Sequence, residues 1–526
     1  MARPSKPHKH VSGRWRCRYQ GKPLWGATEA ECREKLEKAR RDFEQSFAPP
    51  AAVTPAGPAV PPPPPAEQTL SGKEILFKAI RNEATPRTPW VPFVGVHGGK
   101  IIGASAEDYL KSSDLLVRGL LRAKELYLPD GLPIAFDLQM EAEVLGCELH
   151  WAADTPPAVA THPLASAELT DLPPFDATKG RYPVVIDALR RLKAQIGTDT
   201  ALYGLITGPF TLALHLLGND VFLQLRRAPD RVQALLAYCA EIGQRAADVY
   251  LDNGADVIPV VDPMTSQIST RHFDEFVKPH VDAVFRHIRA RGGLSSMFVC
   301  GDATRNLEAM CQTECDNVSI DENVPLELCK ELGARYGRSF GGNLKLTTAL
   351  LLGDPDDAKL ETLRCLEIGG TNGFVLAPGC DLPYGVPEEN LQAVALMVHD
   401  QYQRHVAATT LRAKAAASFD DVNLPDYAAE TDVIVDVITL DSASCAPCQY
   451  MVSAAAEAAA RCEGRISVRE HKITTHAGLG YMTRLGVQNL PTICIDGTPQ
   501  FVSIIPDANT LARAFRAALA AKGQTS

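Results

Sequence analysis

The sequence has 526 residues, of which 45% are hydrophobic and 22% charged, a composition typical of a globular enzyme and not of a disordered chain. Its net charge of −10 argues against a chain that binds nucleic acid along its whole length. The first ten residues are polar and basic, and no window approaches the roughly 20 apolar residues of a membrane helix. We therefore expect a cytoplasmic protein of two to four domains with no membrane segment, in which most of the 14 cysteines are free thiols.

The first 46 residues form a small basic segment with 12 Lys/Arg and 6 Asp/Glu. Residues 15–19 alternate as a short strand, and a second strand begins at residues 24–25. Thr28 and Glu31 have the spacing of a capping box, which predicts a helix that runs to about residue 46.

Residues 1–46 resemble the strand-plus-helix arm at the N-terminus of phage-type integrases, which binds DNA. The resemblance implies phosphate contacts from Arg14, Arg16 and Arg18, and the alternative interpretation is a solvated accessory module. Residues 47–68, FAPPAAVTPAGPAVPPPPPAEQ, contain five consecutive prolines. Such a run favours polyproline II and predicts a semi-rigid linker.

Residues 69–405 alternate short apolar runs with amphipathic stretches. This alternation predicts an α/β fold, a (β/α)₈ TIM-type barrel, with an open doubly wound sheet as the alternative. No G-x-G-x-x-G follows the first run, which weakens a dinucleotide-binding interpretation. The eight predicted strands are 90–96, 132–136, 201–206, 257–261, 296–299, 317–320, 339–342 and 373–376.

Polar side chains follow the predicted strands, and catalysis in TIM barrels occurs at the carboxyl ends of the strands. Two cysteines, Cys300 and Cys380, follow the fifth and eighth strands and should face one shared opening. Two such thiols can bind zinc, act as redox or methyl-accepting groups, or be buried small hydrophobes. Asp137 and Asp262 either position substrate and transfer protons or cap neighbouring helices. The candidate cofactor-binding side chains are His97, Thr207 and Asn343.

Three segments carry a resemblance to the uroporphyrinogen decarboxylase superfamily. They are GLITGPFTLA at 204–213, NGAD at 253–256 leading to VDP at 261–263, and Asn390 after Val386-Pro387. The resemblance spans about residues 70–402 and implies the TIM-type barrel. The decarboxylases of this superfamily bind substrate carboxylates through arginines after the first strand. The corresponding loop here, VHGGKIIG at 96–103, has a single lysine and no arginine, which disfavours a tetrapyrrole substrate.

The other branch of the superfamily comprises methylcobalamin:coenzyme M methyltransferases and related corrinoid-dependent enzymes. They bind zinc through a His-x-Cys after the fifth strand and a cysteine in an Ala-Pro-Gly-Cys context after the eighth. Cys300 and Cys380, in LAPGC, match the two cysteine positions, whereas Phe298 replaces the histidine. The resemblance implies zinc at these cysteines and a methyl-corrinoid as substrate or partner. Since the histidine is missing, His97, Glu141 or Asp302 would have to complete the zinc site.

A separate α/β pattern begins after a linker at 406–430 and occupies residues 431–526. A buried strand at 432–440 precedes Cys445-Ala446-Pro447-Cys448, which opens a helix at about 449–461, and Leu490-Pro491 precedes a further strand. This order resembles the thioredoxin-like fold. It implies that Cys445 is a nucleophile whose thiolate is stabilised at the helix N-terminus, that Cys448 resolves the mixed disulfide, and that the Leu490–Pro491 bond is cis.

Taken together, these resemblances imply a corrinoid-dependent methyltransferase-like enzyme that moves a methyl group between a methyl-corrinoid and a thiol, with a fused dithiol redox domain. The alternatives are a decarboxylase-like enzyme acting on a tetrapyrrole and a non-catalytic barrel that binds a corrinoid or a partner. The expected partners are a corrinoid or corrinoid protein, a small thiol or tetrapyrrole, and a disulfide that reacts with Cys445 and Cys448.

Overall fold

The structure, a computed structural model, describes residues 8–9, 15–19, 22–46, 70–410, 419, 422–443, 445–462, 465–487 and 490–523. The chain divides into two units, Met1–Gln68 and Thr69–Ser526. The predicted linker at 47–68 and Ser444 lie outside the described residues. Within the described residues, no helix combines the length and the apolar character needed to cross a membrane.

The first unit is an antiparallel sheet covered by one helix. Thr28 Oγ1 accepts a hydrogen bond from Glu31 N at 3.2 Å, and Cys32 and Leu36 of the helix are buried. The predicted strands and helix are thus confirmed, and the DNA contact stays a prediction. The elements are β1 (His8–Lys9), β2 (Trp15–Tyr19), β3 (Lys22–Gly26) and the helix Glu29–Ser46.

The second unit is built around a curled parallel sheet. The strands in residues 70–410 of this unit are β4 (Gly131–Pro133), β5 (Leu149–His150), β6 (Ala158–Val159), β7 (Ala201–Tyr203), β8 (Ile206–Thr207), β9 (Val257–Val261), β10 (Leu294–Val299), β11 (Asn317–Ile320), β12 (Ser339–Leu344) and β13 (Phe374–Pro378). The strand order of the sheet is β13-β12-β11-β10-β9-β7-β4, and β8 also pairs with β9. The short antiparallel pair β5–β6 lies outside this sheet.

The first predicted strand, 90–96, is reduced to a single bridge in the structure. Trp90 pairs in parallel with Leu376 of β13, and its carbonyl accepts a hydrogen bond from Asp130 N at 2.8 Å, next to β4. Trp90 therefore connects the two ends of the curled sheet. Pro89 and Pro92 have no N–H to donate, which explains why regular pairing does not extend further. This architecture is α/β and consistent with a TIM-type barrel.

Helices pack on the outside of the sheet and alternate with its strands. Those of eight or more residues are Gly72–Ile80, Ser113–Tyr127, Tyr182–Ile196, Pro209–Leu217, Asp220–Arg227, Pro229–Asp252, Lys278–Ala290, Leu326–Tyr336, Pro355–Gly369, Glu388–His399 and Gln401–Thr410.

Residues 431–523 add a second sheet with the order β15-β14-β16-β17, in which β14 and β15 are parallel and the other pairings antiparallel. The predicted strand and helix around the two cysteines are confirmed, and the Leu490–Pro491 bond is cis, as predicted. The elements are β14 (Val433–Thr439), β15 (Ile466–Lys472), β16 (Thr492–Ile495), β17 (Thr498–Val502) and the helices Ala446–Ala460, His476–Arg484 and Ala508–Ala521.

One aromatic side chain joins this C-terminal part to the barrel. Tyr450, on the helix Ala446–Ala460, is 7% exposed and belongs to the main hydrophobic cluster of the barrel. Its ring centroid lies 6.5 Å from that of His162. The C-terminal part and the barrel therefore share buried surface and lie in one unit.

Candidate functional site

A cavity of about 410 Å³ lies at the carboxyl ends of the barrel strands. This volume is within the range of roughly 300–1,000 Å³ that is usual for small-molecule sites. The barrel contributes Cys300 and Cys380 to its lining, and the C-terminal part contributes Cys445, Cys448 and Pro491. The structure thus brings together all five of the predicted residues that carry sulfur or belong to the dithiol motif.

The barrel cysteines form a close pair. Cys300 follows β10 and Cys380 lies two residues beyond β13, and their Sγ atoms are 2.7 Å apart. Gly379, directly before Cys380, lies against the backbone of Glu322, where a Cβ atom would be 2.5 Å from Glu322 N. The hydrogen bond with Cys380 and then burial hold the pKa of the Cys300 thiol well above its usual range.

The C-terminal dithiol lies at the start of the helix Ala446–Ala460. Cys445 is its N-cap residue and is half-buried, whereas Cys448 is buried and its Sγ accepts a hydrogen bond from Leu440 N at 3.3 Å. The hydrogen bond with Cys448 and then burial raise the pKa of the Cys445 thiol well above its usual value. Both effects favour the protonated thiol in this arrangement, so the stabilised Cys445 thiolate stays a prediction.

Carboxyl groups dominate the polar lining of the cavity. Burial, followed by repulsion from Asp321, raises the pKa of Glu322 to about 8. Burial also raises the pKa of Asp321 and holds that of Asp381 well above its usual range. The described lining also includes Asp154 and Asp441 and has no lysine, arginine or histidine. Such a cavity favours a neutral or cationic ligand over a polyanion.

Two glutamines also line the cavity. Gln139 and Gln267 are 8% and 7% exposed, and the Oε1 atom of each has no hydrogen-bond partner among the described residues. Buried acceptors of this kind are normally satisfied, so both oxygens are suited to accept hydrogen bonds from a ligand. Gln139, Gln267 and Asp381 were not among the predicted site residues. Two of them had a usable signal, because Gln139 lies just after the predicted strand 132–136 and Asp381 directly follows Cys380.

The three predicted cofactor-binding residues lie outside the described lining of this cavity. His97 is buried, with Nε2 2.8 Å from Tyr127 Oη, and burial lowers its pKa to about 4. Thr207 Oγ1 donates to Glu141 at 2.7 Å, and Asn343 Nδ2 donates to the Val324 carbonyl at 2.7 Å. These side chains join neighbouring loops of the barrel.

Asp137 and Asp262, the predicted proton-transfer residues, are also outside the described lining. Asp137 is buried in an ion pair with Arg181. Asp262 Oδ1 accepts hydrogen bonds from Thr211 N at 2.8 Å and Thr211 Oγ1 at 2.6 Å, at the start of the helix Pro209–Leu217. Burial raises the pKa of Asp262 to about 6. Asp262 thus caps a helix, which is the alternative that the sequence left open.

The described residues do not fit the expected zinc site. Phe298, at the position of the missing histidine, is buried and packs 5.0 Å from the Phe93 ring beneath the cysteine pair. No group of three or more His, Cys, Asp or Glu side chains suited to a metal ion occurs in the described part of the chain. Protein zinc sites use at least three protein ligands, so two sulfurs alone fall short of that set.

Comparison with known proteins places the barrel in a family. Methylcobamide:CoM methyltransferase MtbA of Methanosarcina acetivorans is 26% identical over 61% of this chain and 95% of its own length. Methylated-thiol–coenzyme M methyltransferase of Methanosarcina mazei is 28% identical over 49% of this chain and 69% of its own length. A solved methyltransferase from Methanosarcina mazei shares the fold, with a TM-score of 0.59 and 24% identity over 64% of this chain and 100% of that chain. Residues 71–401 match the family described as Uroporphyrinogen decarboxylase (URO-D). The chain therefore belongs to the uroporphyrinogen decarboxylase (URO-D) family.

Proposed function

We propose that this protein transfers a methyl group between a methyl-corrinoid and a small thiol, and that its C-terminal part is a thioredoxin-like dithiol domain. The observation that carries the proposal is the strand-end cavity, which combines paired sulfurs with protonatable carboxyls. The names of the methyltransferase relatives support the same chemistry.

Glu322 is the proposed general base for the acceptor thiol. Its pKa of about 8 is close to that of an ordinary thiol, about 8.5, which suits proton transfer between the two groups. Leu346 N donates a hydrogen bond to Glu322 Oε2 and orients the carboxylate. A methyl-corrinoid, when bound, would supply an electrophilic methyl group, and the corrinoid would leave with the electron pair of the cobalt–carbon bond. Glu322 would take the proton of the acceptor thiol, so that the sulfur could form the S–CH₃ bond.

The lack of cationic side chains in the described lining bears on the choice of acceptor thiol and opposes the decarboxylase alternative. Five carboxyl side chains line the cavity, and burial favours the protonated form of three of them, Asp321, Glu322 and Asp381; the other two are Asp154 and Asp441. A tetrapyrrole with many carboxylates would find no cationic partner in the described lining. A neutral or cationic thiol would instead find hydrogen-bond acceptors in Gln139 and Gln267.

For the C-terminal domain, the proposal rests on the order of its elements and on Pro491, which lines the cavity together with Cys445 and Cys448. Cys445 is the proposed nucleophile because it is the more exposed of the two thiols. Buried Cys448 is then the resolving thiol.

The test of methyl transfer uses the full chain under anaerobic conditions with methylcobalamin and three thiols of similar size. These are cysteamine, 2-mercaptoethanol and mercaptoethanesulfonate, which are cationic, neutral and anionic. We expect loss of the methylcobalamin spectrum with formation of an S-methyl product, fastest with cysteamine. The rate should rise with pH through about 8, as Glu322 loses its proton.

The matched variants are Glu322→Gln, which should slow transfer about tenfold or more at pH 8, and Glu367→Gln, an exposed control that should not. An unchanged corrinoid spectrum with all three thiols would refute the proposed reaction.

A further inference from the structure

We infer that the Cys445–Cys448 dithiol has an internal substrate, the Cys300–Cys380 pair, with which it exchanges a disulfide inside one chain. The inference rests on the proposed dithiol function of the C-terminal domain and does not depend on methyl transfer.

The first support is that the four sulfur-bearing residues share one site. Cys300, Cys380, Cys445 and Cys448 all line the cavity between barrel and C-terminal domain. Cys445 is close enough to interact electrostatically with both barrel thiols. Since thiol–disulfide exchange needs direct approach of sulfur to sulfur, this placement gives Cys445 a target within its own chain.

The second support is the geometry of the barrel pair. Its Sγ atoms are 2.7 Å apart, within about 1 Å of the length of a disulfide bond. The buried ring of Phe298 occupies the position from which a third ligand would come, and the described residues complete no metal-binding group. The pair is therefore better suited to form a disulfide than to hold a metal ion.

The exchange itself involves only the four cysteines and needs no further oxidant or reductant. The Cys445 thiolate attacks one sulfur of the Cys300–Cys380 disulfide, forming a mixed disulfide and releasing the other barrel sulfur as a thiolate. Cys448 then attacks Cys445, the mixed disulfide breaks, and the Cys445–Cys448 disulfide forms. Two thiol protons pass from the C-terminal cysteines to the barrel cysteines, and two electrons move with them. An external dithiol returns the C-terminal disulfide to its reduced state and becomes a disulfide itself.

The order of attack follows from accessibility. Cys445 is half-buried and faces the cavity, whereas Cys448 is buried and its sulfur is held by Leu440 N. The thiol that attacks first, Cys445, must reach the Cys300–Cys380 disulfide. Cys448, which resolves the mixed disulfide, needs only to reach Cys445. Tyr450, packed in the barrel core, fixes this helix against the barrel.

The experiment traps the mixed disulfide in the full chain. Reduced protein is treated with hydrogen peroxide, which becomes water as two thiols become a disulfide. Remaining thiols are blocked with N-ethylmaleimide, and the protein is digested without reductant for mass spectrometry. We expect Cys448→Ser to yield a peptide linking Cys445 to Cys300 or Cys380, about tenfold more abundant than in Cys462→Ser, a control cysteine of the same domain outside the described lining.

Cys445→Ser should instead accumulate the Cys300–Cys380 disulfide, and it tests the inference even where Cys448→Ser fails to fold. Absence of the linked peptide from folded Cys448→Ser would overturn the inference, as would absence of the Cys300–Cys380 disulfide from Cys445→Ser. Stoichiometric zinc that is lost on replacing Cys300 and Cys380 would overturn it as well. If the wild-type chain still catalyses insulin reduction by dithiothreitol, the dithiol function survives that failure. If insulin is not reduced, both fail.

Discussion

At the scale of single residues, most strand-end polar side chains in this barrel are committed to internal hydrogen bonds. Glu141 is an example, because it is fully buried and accepts hydrogen bonds from Thr207 Oγ1 at 2.7 Å and Tyr182 Oη at 3.1 Å. Burial, only partly offset by these bonds, raises its pKa to about 7. Such a carboxyl costs folding free energy once it ionises.

This cost gives a prediction for Glu141→Gln. A carboxyl whose pKa is raised on folding binds its proton more tightly in the native state, so stability falls as pH rises from about 4.5 to about 7. The variant should lack that fall and exceed the wild type by about 3 kcal/mol above pH 7. Its amide oxygen can accept from Thr207 Oγ1 and Tyr182 Oη, as the carboxyl does. Urea unfolding at pH 5 and pH 8 measures the difference.

The exposed residue Glu125, whose side chain is 70% accessible, supplies the control for this measurement. Glu125→Gln should follow the wild type at both pH values. Equal stability of Glu141→Gln and wild type at pH 8 would contradict the burial argument.

The sequence predicted the strands and helices better than it predicted which individual side chains line the cavity. Cys300 and Cys380 could be placed at one opening because barrel strands end together, and the structure agrees. Thr207, Asn343 and Asp262 have the same strand-end positions but bond to neighbouring loops and helices. Their partners are not fixed by strand order, so sequence position alone could not separate them from cavity residues.

At the scale of elements, the barrel strands were predictable because each is a short apolar run between turns and helices. The exception is the segment around Trp90, where flanking prolines remove donors from the sheet. The turn after β13 shows how one backbone position controls the site. Gly379 N donates to Leu344 O at 3.1 Å, and its Cα passes close to the backbone of Glu322.

Gly379→Ala should therefore displace Cys380. A Cβ atom 2.5 Å from Glu322 N must push apart two backbone segments, at a cost of about 1–3 kcal/mol. We expect lower stability in urea and a lower yield of the Cys300–Cys380 disulfide after peroxide treatment. Gly385→Ala is the control, because its Cβ would meet only Leu351 Cδ1, at 3.8 Å. If both variants give wild-type disulfide yields, the close approach of Gly379 to Glu322 does not determine the distance between the Cys300 and Cys380 sulfurs.

At the scale of the whole molecule, residues of the barrel and of the C-terminal part line one cavity at the ends of the barrel strands. The fusion of the two patterns predicts a dithiol that keeps Cys300 and Cys380 reduced or delivers a thiol to the barrel opening. The sequence could not place Cys445 beside them, because the two motifs belong to different folding patterns joined by a linker predicted at 406–430. Tyr450 is one contact between the two parts, and the sequence of its helix alone does not indicate a second packing surface.

Tyr450→Ala should separate the domain from the barrel. Removing a buried aromatic side chain lowers the free energy of unfolding by about 3–5 kcal/mol. Here we expect the loss to weaken mainly the contact between the C-terminal part and the barrel. Calorimetry should show one unfolding transition for the wild type and two for the variant, and the mixed disulfide of Cys448→Ser should decrease when Tyr450→Ala is added. Tyr402→Ala, at a side chain that is 72% exposed, is the control. A single transition in Tyr450→Ala would contradict the role of this contact.

The position of both cysteine pairs in one folded chain determines the kinetic order of the proposed exchange. Two separate proteins would have to meet by diffusion, so their reaction would slow on dilution. Here the reacting groups are delivered by the same folded chain, and their encounter is unimolecular. The half-time of the exchange should consequently be the same in a dilute extract as in a concentrated stock.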